Sequence, residues 1–411
     1  MASQNRQNGE LRPIWRRLNG NKNLYTCRVE SSRFSIRLTP LEDELLSSWL
    51  VRTAYAHRID AATFVNLHLP KWKNLLWTRD IDISASADFL LRLSFKSGLS
   101  IESLLGLTLR AYEGYLSEKI HPSTRNNLIQ PLGNYSRIKI GHGLRFCPKC
   151  LAGDAVPYFR KKWRLSFSTA CIYHDCFLLD CCPKCGASVN LYRSYFDQKL
   201  EFCYRCGFDL KMAAVKPIDR DSSGIGAIRT LYDVLDTGIY RYGALYMYSL
   251  SFFEVLPHLC RLMVWHRGRV LKLGVSRLDA KEIRRNTKTR YLMEFSLHLQ
   301  HQLFSVAMEL LRDLPKSLVS AFLVNNMRKS DLTKDLRCMP FWYSEIADKF
   351  DGGMSKAHAD EVKSAIAFLK KKHRKVYKLW VADLMGVSID LRKRRDLRSL
   401  FKREGRFHIV A

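Results

Sequence analysis

Nowhere in the 411 residues does a charge-free apolar run approach the roughly 18 residues that a membrane span requires. The N-terminus carries scattered arginines (Arg6, Arg12, Arg16, Arg17) with no apolar segment behind them, so it does not read as an export signal. Both absences make a chain that is neither exported nor membrane-embedded the expectation. Acidic residues are scarce: 39 Asp and Glu face 68 Lys and Arg, a formal net charge of +29 with a pI near 9.8. Such an excess repels itself and persists where a polyanion neutralises it, so charge points to nucleic acid or nucleoprotein as partner. Catalytic signatures are missing as well. There is no Gly-x-x-x-x-Gly-Lys-Ser/Thr phosphate loop, no His-x-Glu of a zinc deaminase, and no grouping of carboxylates suited to paired Mg²⁺ ions. A nuclease or transposase is disfavoured on those grounds.

With 47% hydrophobic and 26% charged residues, the chain has the balance of a packed protein and is not disordered as a whole. Its length exceeds the roughly 250–300 residues at which single cores stop growing, which implies two or three domains. Residues 1–33 are polar and aperiodic, a flexible basic arm. After Pro40 come Glu42, Asp43 and Glu44, then Leu45, Leu46, Trp49, Leu50, Thr53 and Ala54 at helical spacing. The pattern predicts a helix whose acidic first turn complements its dipole. A second helix is expected over 61–69, stopped by Pro70. A further pair over 87–96 and 101–107 has Gly98 as stop and Ser100 as cap. This pair has helix-turn-helix cadence, which any helical hairpin shares.

Residues 132–144 read as a linker into a cysteine cluster over 147–206. Beyond Asp209 helical periodicity predicts an all-helical bundle, with the apolar stretch 243–260 as a buried helix. A second helix-turn-helix candidate spans 376–395. Ala382 permits close approach, Gly386 makes the turn, Val387 follows, and Ser388 caps a helix bearing Arg392, Lys393, Arg394, Arg395 and Arg398. A solvated basic helix without groove contact has the same pattern. The fold expected is mainly α: a helical N-terminal domain (34–131), a central tandem zinc-ribbon module (140–212) and a C-terminal helical domain (213–411) with a basic helix-turn-helix-like end.

Nine of the twelve cysteines fall between Cys147 and Cys206. In a chain without an export signal, such clustering means metal or catalysis rather than disulfides. Four pairs with two intervening residues stand out: Cys147/Cys150, Cys171/His174, Cys182/Cys185 and Cys203/Cys206. That spacing lets both side chains of a pair reach one Zn²⁺. Sequential assignment gives a Cys₃His site and a Cys₄ site; a cross-braced pairing is the alternative. In each sequential set all four donors are complete, so two structural zinc ions are expected, with no open position for catalysis. Gly186 and Gly207 follow their pairs and tolerate positive φ. Cys181 competes with Cys182 as ligand, Cys176 is left over, and Cys27, Cys260 and Cys338 read as small buried hydrophobes. Arg160, Lys161, Lys162 and Arg164 lie between the halves of the first site, where rigid knuckles would present them to phosphate. Trp163 among them either stacks on a base or fills the core.

The run Arg145-Phe-Cys-Pro-Lys-Cys-Leu151, Tyr158-Phe-Arg160, Trp163-Arg-Leu165, Cys171-Ile-Tyr-His174, Leu178-Leu-Asp180 and Cys182-Pro-Lys-Cys-Gly186 resembles the TniQ/TnsD family of transposon target-selection proteins. The helix Glu44-Leu-Leu-Ser-Ser-Trp-Leu-Val-Arg52 and the segment 93–109 resemble the family's N-terminal elements, so the likeness covers about residues 38–210. The resemblance implies a non-catalytic, cytoplasmic, nucleoid-associated bacterial adaptor. Such a protein marks target DNA and recruits an AAA+ regulator of the TnsC/TniB type; some members ride on an RNA-guided CRISPR complex such as Cascade, often as dimers. A zinc-containing helix-turn-helix transcription regulator is the alternative reading.

Overall fold

The computed structural model describes residues 32–74, 79–122, 126–132, 143–194, 197, 199–220, 222–243, 245–265, 292–325, 327–334, 336–350, 358–373, 376–385 and 395–403. The basic arm up to residue 31, Cys27, most of the expected linker, the turn at 386–388 and the cations Arg392, Lys393 and Arg394 lie outside the described residues. As expected, the fold is mainly α.

The first helix differs from expectation. α1 spans Leu46–Ala56 and has no acidic residue in its first turn. Asp43 adopts φ 55°, and Glu44 is fully buried, its carboxylate accepting from Arg52 at 2.7 and 2.8 Å and from the Leu41 amide at 3.0 Å. The acidic cluster therefore anchors the segment leading into the helix rather than capping it. Backbone partners from elsewhere take over: the Leu45 amide donates to the Phe159 carbonyl and that of Leu46 to the Leu107 carbonyl, each at 2.9 Å.

α2 (Ala61–His68) starts at Asp60, which accepts from the Thr63 amide, and gives way at Pro70 to a short 3₁₀ turn. α3 (Ala87–Ser97) ends at Gly98 in the left-handed region, and Ser100 caps α4 (Ile101–Gly106) by accepting from Ser103. The first helix-turn-helix cadence is thus a real helical hairpin. Its second helix exposes Ile101, Glu102 and Ser103 and carries no cation.

The central region is mostly irregular, with α5 (Pro148–Gly153) and a small hairpin of β1 (Ala170–Cys171) and β2 (Cys176–Phe177). Helices return with α6 (Ser223–Thr237), stopped by Gly238 at φ 79°. The expected single helix over 243–260 is instead a hairpin followed by a helix. β3 (Ile239–Tyr242) pairs antiparallel with β4 (Leu245–Tyr248), and α7 (Ser249–Trp265) follows with Pro257 inside it. Gly243 at φ 59° makes the turn, and the Tyr-rich flanks suit a pleated, half-buried surface better than a helix. Further helices include α8 (Leu297–Arg312), α9 (Lys316–Val324), α10 (Phe341–Asp348), α11 (Ala359–Lys372), α12 (Lys378–Met385) and α13 (Arg395–Arg403).

One cluster of buried apolar side chains runs from Phe34 through the cysteine region to Ala347, so residues 34–131, 140–212 and the first part of the C-terminal half share a core. A smaller cluster joins Tyr248 and Leu250 to α11, α12 and α13 through Ile366, Val381, Leu397 and Phe401. The central region is therefore a wedge held on both sides, not a free-standing module.

Candidate metal centres and cationic surfaces

The structure brings together the sequential sets. Cys147, Cys150, Cys171 and His174 form one group and Cys182, Cys185, Cys203 and Cys206 the other, with all donor atoms of a group within 4.8 Å of one another. In the first, Cys147 precedes α5 and Cys150 lies on it, Pro148 starting the helix between them. Cys171 ends β1, and the turn to β2 swings His174 back with Asp175 at φ 46°. His174 Nδ1 lies 3.7, 3.3 and 3.5 Å from the sulfurs of Cys147, Cys150 and Cys171. Tetrahedral zinc with bonds of about 2.3 Å to sulfur and 2.0 Å to nitrogen requires edges of about 3.5 Å between N and S. The donor set fits such an ion.

The second group consists of two copies of one knuckle. Gly186 (φ 67°) donates to the Cys182 carbonyl at 2.8 Å, and Gly207 (φ 66°) to that of Cys203 at 2.9 Å. The Cys182 and Cys203 amides donate to the carbonyls of Ala187 and Phe208 in the same way. Amides of Lys184 and Cys185 point at the Cys182 sulfur, those of Arg205 and Cys206 at Cys203. Sulfur separations of 3.7 Å (Cys182–Cys206) and 3.6 Å (Cys185–Cys203) sit near the edge of about 3.8 Å expected for two thiolates on one zinc. Cys182, buried, belongs to the group; Cys181 is exposed and outside it.

Electrostatics shows why a cation suits these groups. Hydrogen bonds from Cys150, Cys171 and Cys176 pull the Cys147 thiol far down, while the interaction with Cys147 pushes Cys150 far up. Crowded thiols hinder one another's ionisation, and a divalent ion would allow every thiol to ionise. Cys176 is the residue the spacing did not single out. It is the register partner of Cys171 across β1 and β2, and its buried sulfur lies 3.8 Å from that of Cys147. Only hairpin register places it there. Cys260 and Cys338 are buried, as expected for small hydrophobes.

The cations between the halves of the first group are placed differently from expectation. Arg164 is 1% exposed, its guanidinium bonded to Asp80 at 2.5 Å, to Asp82 at 3.3 Å and to the Gln130 carbonyl at 3.0 Å. It is a core ion pair and faces no phosphate, which corrects its assignment to nucleic-acid binding. A guanidinium removed from water is stabilised by compensating carboxylates, and here it has two. Arg160 pairs with Asp154 at 2.6 Å and lies over the rings of Tyr158 and Trp163. Lys161 bonds the Gly106 carbonyl, and Lys162 pairs with Asp236 at 2.7 Å. Trp163 is 5% exposed and meets Phe159 edge to face, so it fills the core. On α13, Leu397 and Phe401 face the smaller core while Arg398 is exposed; Arg395 starts that helix.

Residues 35–178 match the TniQ family model. These residues form a TniQ domain. No curated protein shows significant similarity to it. The TniQ match runs from the segment before α1 through β2 and encloses the first group of metal donors and the Arg164 ion pair; the second group lies beyond it. A TniQ domain associates the chain with transposition and the selection of its target. No helix among the described residues is long and apolar enough to cross a membrane.

Proposed function

We propose that this TniQ protein is a non-catalytic, cytoplasmic adaptor that marks target DNA and brings an AAA+ ATPase of the TnsC/TniB type to it. The observation that carries the reading is the pair of complete four-donor groups set into the core of a strongly cationic chain. With every donor position filled by protein, two zinc ions would stiffen the scaffold and leave no coordination site for water or substrate. Cys147, Cys150, Cys171 and His174 would hold one ion, and Cys182, Cys185, Cys203 and Cys206 the other.

DNA contact is assigned to the basic end, Arg392 to Arg395 together with Arg398, whose helix is anchored by Leu397 and Phe401. Arg160, Lys161 and Lys162 are tied to carboxylates or a carbonyl of their own chain and contribute less to phosphate binding. Co-sedimentation of the ATPase with DNA, in the presence and absence of this protein, tests the reading. The expected result is ATPase on DNA only when the protein is present. A footprint without ATPase recruitment would overturn the adaptor and favour a transcription regulator.

A further inference from the structure

Residues 370–378 read Lys-Lys-Lys-His-Arg-Lys-Val-Tyr-Lys, six cations in nine positions with His373 and Tyr377 interleaved, and Leu379 and Trp380 follow. The run leads from α11 into α12. α12 buries Val381 and Met385, one turn apart, against the smaller core, and the Tyr377 carbonyl accepts from the Val381 amide at 3.2 Å. That anchorage rotates the neighbouring positions outward: Leu379 is 65% exposed and Trp380 40%.

The indole is nonetheless held. The His373 ring lies 4.9 Å away at an interplanar angle of 54°, and the Tyr377 ring 4.8 Å away at 76°. Both meet Trp380 at steep angles, so neither occupies a parallel stacking position on it. Lys378 beside it is exposed, whereas Lys371 is turned to the Ala111 and Glu113 carbonyls.

A fixed, accessible indole beside the exposed Lys378, within a run of sequence rich in cations, is the combination by which single strands are gripped: bases stack on the ring and the backbone lies on the cations. A duplex hides its base faces and gains nothing from the ring. We propose that His373, Tyr377 and Trp380 form a stacking platform for unpaired nucleobases, with single-stranded RNA or DNA as the ligand. The platform goes beyond the duplex contact assigned to the basic end, and its test needs no ATPase.

The experiment is fluorescence anisotropy of the full chain with oligouridylate, oligothymidylate and a DNA duplex as separate probes. Trp380→Leu keeps apolar bulk and removes the π-face, and Trp380→Phe keeps a ring. Trp380→Leu is expected to weaken single-strand binding about tenfold, Trp380→Phe by less than about twofold, and duplex binding is expected to stay unchanged. Loss confined to oligouridylate identifies RNA as the ligand; equal loss on both single-stranded probes identifies single strands of either kind. Wild-type protein that binds neither strand, unchanged affinity in a folded Trp380→Leu variant, or an equal loss on duplex overturns the platform. If Trp380→Leu does not fold, Lys378→Glu is measured instead, with selective weakening of single-strand binding expected and no change overturning the proposal.

Discussion

Arg145 and Gln300, 155 residues apart in sequence, share a hydrogen bond of 2.5 Å inside the core, the guanidinium donating to the amide oxygen. The same guanidinium donates to Gln130 and to the carbonyls of Leu165, Ser166 and Ser168, and Gln130 in turn donates to the Met293 carbonyl. No carboxylate among the described residues bonds it, and burial lowers Arg145 to about 10. A single charged side chain thus joins the TniQ domain to α8.

Arg145→Ala is expected to cost about 3 kcal/mol, because several buried acceptors lose their donor at once. Urea unfolding followed by tryptophan fluorescence measures it. A loss below about 1 kcal/mol would mean that water replaces the guanidinium and that apolar packing and the other hydrogen bonds hold the two parts together.

Arg164→Ala is expected to destabilise by about 3 kcal/mol and to leave DNA affinity unchanged, since the variant strands Asp80 and Asp82 in the core. Asp82 is already held up to about 7, by burial first and by Asp80 second. Melting temperature and DNA titration on the same variant check both halves. Weaker DNA binding by a variant of unchanged stability would return Arg164 to the nucleic-acid surface.

Elemental analysis is expected to find two zinc ions per chain. Cys171→Ser and Cys185→Ser should each remove one, with a drop of roughly 10 °C or more in melting temperature. The drop should be larger for Cys171→Ser, because Cys171 is itself buried in the main core whereas Cys185 packs at its edge. Native protein without zinc would remove the metal centres.

Replacing Arg392, Lys393, Arg394 and Arg395 by Ala is expected to flatten the dependence of log K on log salt by about 0.9 for each phosphate that these cations neutralise in the wild type. An unchanged slope would take this cluster out of the DNA interface.

Glu361 is buried at the start of α11, accepting from the Phe341 amide at 2.7 Å, and burial raises its carboxyl to about 8. The unfolded chain ionises this group near its ordinary 4.5, so the native state is progressively penalised as pH rises from 4.5 to 8. Glu361→Gln keeps an acceptor and removes the penalty. The variant should melt higher than the wild type by about 5 °C at pH 8, with the difference vanishing toward pH 4.5. A difference independent of pH would assign the effect to packing.

What the sequence determined by itself is local. Two-residue spacing named the eight residues that the fold gathers into two four-donor groups, because a knuckle is a short-range device whose geometry lies within a few residues. Gly98 and Ser100 ended and restarted helices where expected, since caps act on adjacent amides. The tertiary structure decided everything that depends on distant partners. Glu44 cannot be told from a helix-capping acid until Arg52 and its burial are seen, nor Arg164 from a phosphate ligand until Asp80 and Asp82 close on it. Cys176 reaches Cys147 only through strand register, and Trp380 is turned outward only because Val381 and Met385 turn inward. Charge and aromaticity are written in the residue; whether they face water, core or partner is fixed by which surfaces fold against each other.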